Sequence, residues 1–480
     1  MKLATKIAYN TIAQIISKII STIIGLLTIA IITRYLGAQG FGEYTTITTF
    51  LSFFAIVADL GLTLVTVQLI SPKNADQEKI VGNLLGIRLI SALIFIGAGP
   101  LLVFFFPYSL AIKLGVLTVA ASYFFVALNQ ILVGIFQKNL RMDKVSIAEI
   151  ASRLVLLGGI ILVADFGLGL YGILAATVIS SFVNFIIHYY YARRFSRLHF
   201  RFDLSYWKII MQKSWPLAIT IVFNLIYLKT DTLFLSIIPR PSQIGIIAEV
   251  GLYGAAYKVI DVLITLPFMF AGIILPVLTS AWVEKNKKDF AAVLQKSFDI
   301  MVIIALPIVA GTQLLATDVI TLVTGKEFAA AGPILQWLIW ACAFIFLGNM
   351  FAHAIIAIDC QKKIIGAYIF VAITSVIAYS LLIPRFSYFG AAMITIYSEA
   401  MIAFASYFLV YKQTKFIPNL SVALKSAAAS ILMFLALYYE YHNISQNVFI
   451  IILSSILIYF PLLIIFKGIK KTDLLTLLNK

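Results

Sequence analysis

The sequence predicts an all-α integral membrane protein with about fourteen transmembrane helices. Of its 480 residues, 62% are hydrophobic and 12% are charged, and the mean hydropathy is +1.03. A soluble chain of this length needs far more polar surface. The apolar segments are mostly 20–28 residues long, which suits helices that cross a hydrocarbon core of about 30 Å. They lack the ten-residue alternation typical of an outer-membrane barrel.

Breaks rich in proline, glycine or charge separate the apolar segments, as at Ser71-Pro72-Lys73 and Pro239-Arg240-Pro241. These breaks divide the chain into fourteen predicted spans. Their approximate bounds are 7–33, 43–70, 80–106, 112–136, 146–164, 168–190, 209–237, 248–281, 292–315, 332–358, 364–383, 389–411, 421–440 and 446–467.

Connections rich in lysine and arginine alternate strictly with connections that contain few of them. The net charge of +16 alone would also suit a nucleic-acid-binding protein. The N-terminus, every second loop and the C-terminus together carry about 23 basic residues, and the intervening loops carry about 5. Basic loops remain on the cytoplasmic side of a membrane. We therefore expect a multi-pass protein of the cell membrane with both termini in the cytoplasm, and no nucleic-acid partner.

Two pairs of similar segments indicate an internal repeat. Residues 42–44 and 251–253 lie near the starts of spans two and eight, at an offset of 209. Residues 171–180 and 389–398 open spans six and twelve, at an offset of 218. The shared order and similar offset favour a duplication of six helices.

The repeat predicts two pseudo-symmetric six-helix lobes, followed by two extra helices. We place the N-terminal lobe at 1–190, a basic cytoplasmic linker at 191–208 and the C-terminal lobe at 209–411. Residues 412–480 then hold spans thirteen and fourteen and a cytoplasmic tail. Because six is even, both lobes enter the membrane in the same orientation, and the repeat axis runs along the membrane normal.

The stretch from Arg34 to Leu62 carries a family resemblance. Its RYLGAQGFGEY turn and its ADLGL ending resemble the polysaccharide flippases of the Wzx or O-antigen type. These belong to the MOP superfamily, with the MATE exporters and the lipid II flippases. The resemblance implies two six-helix lobes around a central cavity, and export of an undecaprenyl-pyrophosphate-linked glycan. The chain lacks the dense arginine complement of lipid II flippases.

Ionisable residues inside the spans are the candidate functional residues, because each costs at least about 2.5–3.5 kcal/mol to insert and usually faces a cavity or a partner. Basic and acidic candidates are equal in number, so composition alone does not predict a cationic cavity. The candidates are Lys18, Arg88, Arg153, Lys229 and Lys258, and Asp59, Glu149, Asp231, Asp261 and Glu399.

Four of the cations are candidate substrate-binding residues. Lys18 has no local acidic partner and suits a pyrophosphate contact, although a structural bond to Asp59 is the alternative. Arg88 suits a bidentate phosphate contact or a snorkelling position near the cytoplasm. Lys229 lies within two residues of the position that the repeat offset assigns to Lys18.

Lys258 is the fourth candidate and stands three residues before Asp261, so the two can meet on one helix face. The same spacing rule pairs Glu149 with Arg153, for which a structural role is the main alternative. The resemblance adds that basic residues recur in spans one and eight of the lipid-linked flippases, at the places of Lys18 and Lys258.

Three carboxylates, Asp59, Asp261 and Glu399, are candidates for ion coupling, because a buried acid can carry a proton or help to hold sodium. Packing bonds to a neighbouring helix are the alternative. The candidate energy sources are a proton gradient, a sodium gradient and the membrane potential. No P-loop and no metal-ligand spacing occurs in the sequence, so we expect no other cofactor, no metal and no catalytic residue.

The leading hypothesis is a flippase that moves a polyprenyl-pyrophosphate glycan to the outer leaflet by alternating access. Its expected partners are that glycan, the membrane lipids, and polysaccharide polymerase and assembly proteins. The alternatives are a MATE-like, cation-coupled exporter of small organic compounds and a membrane polysaccharide polymerase. The polymerase usually needs a large catalytic loop, and no predicted loop exceeds about 25 residues.

Overall fold

Helices make up the architecture of the described chain. A computed structural model describes residues 3–72 and 76–469, with the side chains of all except 3–13, 64, 216–217, 219–221 and 223–229. The α-helices are α1 (Leu3–Asp59), α2 (Leu62–Ile70), α3 (Gln77–Ser91), α4 (Gly97–Leu102), α5 (Leu110–Lys138), α6 (Met142–Asp165), α7 (Gly169–Ala192), α8 (Leu204–Ile237), α9 (Ile246–Leu263), α10 (Thr265–Val283), α11 (Lys287–Thr324), α12 (Gly332–Ala357), α13 (Gln361–Thr414), α14 (Ser421–Asn443) and α15 (Val448–Ile465). A π-helical turn (Ala92–Ile96) joins α3 to α4, and 3-10 segments follow α4 (Val103–Phe105) and precede α12 (Lys326–Ala331).

Two of these helices are too long to be single membrane spans. The 57 residues of α1 and the 54 of α13 would each extend for about 80–85 Å if straight. Each has one non-helical residue inside it, Gly37 with φ 67° and Ser387 with φ 50°. Each is therefore two helices that meet at a break.

The predicted all-α membrane fold is confirmed. By length and composition, eleven helices of the described residues can cross a membrane. Dividing α1 and α13 at their breaks and adding the 34-residue α8 accounts for the predicted fourteen spans.

The chain forms two compact units. Unit 1 comprises Met1–Gly254 with Val323–Glu327, and unit 2 comprises Ala255–Leu322 with Phe328–Lys480. In unit 1, α5 packs against α1 and α7, and in unit 2, α12 packs along α13. The predicted lobes rest on a sequence repeat, which these units do not test, so the lobe boundaries stay predictions.

Glycines permit a close helix crossing within unit 1. A Cβ built on Gly42 of α1 would overlap the carbonyl oxygen of Ile247, and one built on Gly251 of α9 would overlap that of Ala38. The same Cβ positions lie 3.1 and 3.0 Å from the backbone nitrogen of the opposite glycine. The two glycines of the repeated motif thus lie against each other, and their missing side chains set the distance between α1 and α9.

The end of the basic linker is fixed to α3. The backbone N–H of Arg201 donates to the carbonyl oxygen of Gly82 (3.0 Å), and that of Asp203 donates to Oδ1 of Asn83 (3.0 Å). The Asp203 carboxylate accepts the backbone N–H of Tyr206 at the start of α8, and this bond holds its pKa below the ordinary value. The linker therefore positions the start of α8 beside α3.

Replacing Gly42 by alanine is expected to destabilise the protein. The added methyl group would meet backbone that cannot move without shifting α9, at a cost of about 1–3 kcal/mol. The measurement is the midpoint of thermal unfolding of the protein purified in detergent.

Gly158→Ala is the matched control, since no atom lies within 4 Å of a Cβ built on Gly158 in α6. Alanine there should leave the midpoint unchanged or raise it slightly, because alanine favours helix over glycine. Equal midpoints for Gly42→Ala and the parent protein would contradict the close crossing.

Candidate functional site

A helix break organises the interior of unit 1. The helical run of α1 stops at Leu60 and Gly61, which have φ of 49° and 74°. Such a break leaves carbonyl groups without their usual helical donors. The carbonyl oxygen of Ala58 instead accepts from Nη1 of Arg88 (3.1 Å) and from Oγ of Ser91 (2.9 Å). Side chains of α3 thus replace the missing backbone bonds of α1.

The remaining donors of Arg88 are also engaged. Nη2 forms an ion pair with Oδ1 of Asp59 (2.6 Å), and it also donates to Oγ1 of Thr63 (3.3 Å) and to Oε1 of Gln130. Nε donates to the carbonyl oxygen of Ala127 on α5 (2.8 Å). The Arg88 side chain is fully buried. One guanidinium therefore joins α1, α2, α3 and α5.

This arrangement bears on two predicted residues. A phosphate could reach the Arg88 guanidinium only by displacing Asp59, Thr63 or Gln130. The charge of Asp59 is already neutralised by Arg88, and its carboxylate also accepts a bond from Thr63. The described structure pairs Asp59 with Arg88 and not with Lys18. The expected roles of Arg88 in substrate binding and of Asp59 in ion coupling stay predictions.

Two cavities adjoin this buried pair in unit 1. The first, about 440 Å³, is lined by Asp59 and Thr63 and by residues of α1 and α5. The second, about 450 Å³, lies among α1, α5, α6 and α7. Both are lined by Val126 and Gln130, so they share a wall. The polar lining residues of the second cavity are Tyr44, Asn129, Gln130, Glu149, Ser152, Arg153, Thr177, Ser180, Ser181, Asn184 and His188.

Arg153 is an exposed cation on the wall of this second cavity. Its Nη1 lies 3.8 Å from the position of a Cβ built on Gly25, so it adjoins the first half of α1. Glu149 lines the same cavity, yet among the described residues no ion pair joins it to Arg153. The expected i,i+4 pair is not formed in the structure.

A short contact, here called the clasp, holds the segment 323–327 against the turn at Gly37 in unit 1. Nη1 of Arg34 donates to the carbonyl oxygen of Val323 (3.0 Å), and the backbone N–H of Ala38 donates to Oε1 of Glu327 (2.8 Å). A Cβ built on Gly37 would lie 2.9 Å from that same oxygen. Only glycine combines this positive φ with so close an approach.

A second ion pair of unit 1 was not expected from the sequence. Nη2 of Arg240 lies 2.6 Å from Oε2 of Glu249, and the side chains are 1% and 8% exposed. Nearby, the Tyr253 hydroxyl donates to Oδ2 of Asp231 (2.8 Å) and connects α9 to α8. Arg240 belonged to a predicted loop, where basic residues are usually solvated. The one feature of the sequence that could have indicated the ion pair was the acidic residue nine positions later.

In unit 2, the expected contact between Lys258 and Asp261 forms. Nζ of Lys258 lies 3.7 Å from Oδ2 of Asp261, and both side chains are just over one-third exposed. Glu399 of α13 is buried, and its carboxylate lies close enough to Cys342 and Tyr368 to interact with them electrostatically. The roles of Lys258 in substrate binding and of Asp261 and Glu399 in ion coupling stay predictions.

The other two predicted cations are less defined by the structure. Lys18 is exposed on the first half of α1, and no ion pair to it occurs among the described residues. Lys229 is part of α8, but its side chain lies outside the described ones. No group of three or more potential metal ligands occurs in the described part of the chain.

Unit 2 contains a third cavity, of about 410 Å³, with an apolar wall. It lies among α9, α11, α14 and α15, so the last two helices of the chain form part of it. Hydrocarbon dominates the lining, which consists of Val259, Leu263, Ile303, Ile304, Pro307, Ile308, Gly311, Thr312, Leu315, Val319, Met433, Ile452, Ser455, Ile456, Tyr459 and Phe460. This cavity was not predictable from the sequence, because apolar residues that line a cavity and apolar residues that face lipid follow the same pattern.

Substitution of one member of the Arg88–Asp59 pair is expected to cost about 3–5 kcal/mol, because it leaves the other charge buried and unpaired. Arg88→Met and Asp59→Leu should each lower the thermal midpoint strongly, and the double variant should recover much of the loss. The measurement is a double-mutant cycle in detergent.

Lys258→Met, Asp261→Leu and their double variant provide the matched cycle. That pair is partly exposed, so its coupling should be below about 1 kcal/mol. Additive losses for Arg88→Met and Asp59→Leu would show that the two side chains are not coupled.

Solved structures share this fold. The inward closed conformation of the lipid II flippase MurJ has a TM-score of 0.78 and 16% identity over 98% of this chain and all of that chain. An inward-facing multidrug resistance MATE family transporter of the MOP superfamily has a TM-score of 0.68 and 16% identity over 84% of this chain and 98% of that chain. A MOP superfamily transporter from Pyrococcus furiosus has a TM-score of 0.58 and 13% identity over 85% of this chain and 95% of that chain.

The sequence comparisons identify a family. No curated protein sequence matches the chain. The profile of the family described as Polysaccharide biosynthesis protein matches residues 7–282, which is more than half of the chain. The protein therefore belongs to the polysaccharide biosynthesis protein family, and it shares its fold with these solved transporters.

Proposed function

We propose that this protein moves a polyprenyl-pyrophosphate-linked oligosaccharide from the cytoplasmic to the outer leaflet of the cell membrane. The oligosaccharide would serve the assembly of cell-surface polysaccharide, together with polymerase and assembly proteins. Family membership and the MOP fold support a role in polysaccharide export. The observation that carries the proposal is that unit 1 contains a polar cavity and unit 2 contains an apolar one.

The apolar cavity suits the polyprenyl chain of such a substrate. Two of the four helices around it, α14 and α15, follow the last predicted repeat helix. Lipid tails are as apolar as leucine, so a chain that leaves the bilayer for this cavity gains little hydrophobic free energy. The role of the cavity is therefore to position the chain.

The polar head needs an environment that replaces water. Unit 1 offers amide and hydroxyl groups around its second cavity, and hydrogen bonds from such groups are the usual ligands of sugars and phosphates. Lys18 and Lys258 are exposed or partly exposed cations, and we retain them as proposed pyrophosphate contacts. Arg88 is already bound within the protein, which favours a structural role for it in the present conformation.

Alternating access requires one side of the protein to close while the other opens. The distribution of basic residues assigns both termini to the cytoplasm and the turn at Gly37 to the outer side. On this assignment the clasp and the crossing of Gly42 with Gly251 lie at the outer end of unit 1, and we propose that they hold that end closed. The two would part when the glycan is released outward, driven by an ion gradient or by the membrane potential.

A variant that fills the apolar cavity is expected to slow lipid flipping. No atom lies within 4 Å of a Cβ built on Gly311, so Gly311→Phe adds a ring to the cavity without a backbone clash. The assay uses proteoliposomes that contain a fluorescent undecaprenyl-pyrophosphate oligosaccharide, and it follows the fraction that an added quencher reaches with time. We expect at least a tenfold lower rate.

Gly272→Phe is the matched control, because Gly272 of α10 has equally open space and does not line the cavity. It should flip the lipid at the parent rate. Unchanged flipping in Gly311→Phe would refute the role of the cavity. Transport of small organic cations without any lipid flipping would instead favour the exporter, and lengthening of the glycan would favour a polymerase.

Removal of the clasp carboxylate is expected to open the outer side more often. Thr45→Cys places a thiol at a buried position below the Gly42 crossing, and the two native cysteines are buried and free. Adding Glu327→Ala should increase labelling of that thiol by a membrane-impermeant maleimide applied from outside. The readout is the labelled fraction with time in intact cells.

Glu284→Ala is the control, since that exposed carboxylate follows α10 and, among the described residues, accepts a bond only from the nearby Ser280. It should leave the labelling rate unchanged. Equal labelling with and without Glu327→Ala would show that the clasp does not hold the outer side closed.

A further inference from the structure

The second cavity of unit 1 has a wall of connected polar side chains from three helices. Nδ2 of Asn129 on α5 donates to Oδ1 of Asn184 on α7 (2.7 Å). Nδ2 of Asn184 in turn donates to Oγ of Ser152 on α6 (2.9 Å), and Oγ of Ser180 donates to the Ser152 carbonyl oxygen (2.7 Å). These bonds fix the orientation of both amides.

Two acceptors on this wall have no hydrogen-bond partner among the residues that the structure describes. Nδ1 of His188 lies 2.9 Å from the carbonyl oxygen of Asn184, which can only accept, so Nδ1 carries the proton. That leaves Nε2 of the neutral ring as an acceptor. Nε2 of His188 and Oδ1 of Asn129 are both buried without a hydrogen bond.

The two side chains are 2% and 6% exposed, so bulk water does not compensate for the missing bonds. An unsatisfied buried acceptor is unfavourable, and the cavity that both residues line is large enough for a ligand. Both acceptors require a donor, and hydroxyl groups are donors that carry no charge into the protein. Arg153, on the same wall, supplies a cation for an anionic group of the same ligand.

We infer that this cavity is a saccharide subsite that binds the sugar attached to the pyrophosphate. A small shift of the wall on binding exposes the two acceptors, so that hydroxyl groups of the sugar donate to Nε2 of His188 and to Oδ1 of Asn129, and Arg153 contacts the adjoining phosphate. The inference rests on the proposed function, because it takes the ligand to be a lipid-linked glycan. It assigns selection of the sugar to unit 1 and adds Arg153 to the substrate contacts.

The test compares two ligands of the full-length protein in detergent. These are undecaprenyl pyrophosphate alone and undecaprenyl pyrophosphate that carries one N-acetylhexosamine. Dissociation constants come from the rise of the thermal midpoint with ligand concentration. In the parent protein the sugar should tighten binding by at least tenfold, as expected for two or more added hydrogen bonds.

His188→Phe should abolish most of this tenfold gain and leave the affinity for the sugar-free lipid unchanged. Arg153→Gln should weaken the binding of both ligands by a similar factor. Leu156→Trp fills the cavity from its wall without removing a hydrogen bond, and it keeps the test decisive if His188→Phe does not fold. It should also abolish the gain.

His353→Phe is the matched control, because His353 makes the same bond to a carbonyl four residues earlier, that of Asn349, in unit 2 (2.8 Å). It should keep the full gain. Equal affinity for the two ligands in the parent, or a gain that persists in the cavity variants, overturns the saccharide subsite and leaves the proposed function standing. Failure of both lipids to bind the parent protein overturns the proposed function itself.

Discussion

The buried bond between Arg88 and Asp59 is the constraint on which the interior of unit 1 depends. A guanidinium in a membrane protein must have its charge neutralised and its donors filled, or it costs several kcal/mol. Here the helix break at Leu60 and Gly61 supplies the free carbonyl of Ala58, and Asp59 supplies the charge. Because the same side chain also reaches α5, the break is held in one geometry. That geometry positions Gln130, which lines both cavities of unit 1.

The cavities of the two units differ in chemistry as the two ends of a lipid-linked glycan do. In unit 1, amides and hydroxyl groups come from the facing sides of α5, α6 and α7. In unit 2, the wall is made of aliphatic and aromatic side chains of α9, α11, α14 and α15. The glycan that we propose as substrate has a hydroxyl-rich head, which suits the first environment, and a hydrocarbon tail, which suits the second.

The fold was largely predictable from the sequence, whereas the site was predictable only where partners are close in the chain. The lengths of the apolar segments predicted the spans, and the i,i+3 spacing predicted the contact between Lys258 and Asp261. Asp59 and Arg88 are 29 residues apart and on different helices, so only the tertiary fold pairs them. The same spacing argument failed for Glu149 and Arg153, because side chains that line a polar cavity need not turn toward each other. Polar residues that line the cavity, such as Asn129 and His188, could not be recognised in the sequence, because helix–helix hydrogen bonds use the same residue types.

The strengths of these contacts indicate which of them change during transport. The Arg88 network joins four helices and is fully buried, so breaking it costs about 3–5 kcal/mol. The clasp consists of an Arg34 bond and a Glu327 bond to backbone groups, and both bonds are exposed, so water compensates for most of their loss. The crossing of Gly42 with Gly251 adds close packing but few side-chain atoms. A modest driving force therefore suffices to open the clasp and the crossing while the Arg88 network stays intact, so the polar cavity keeps its shape through the outward opening that we propose.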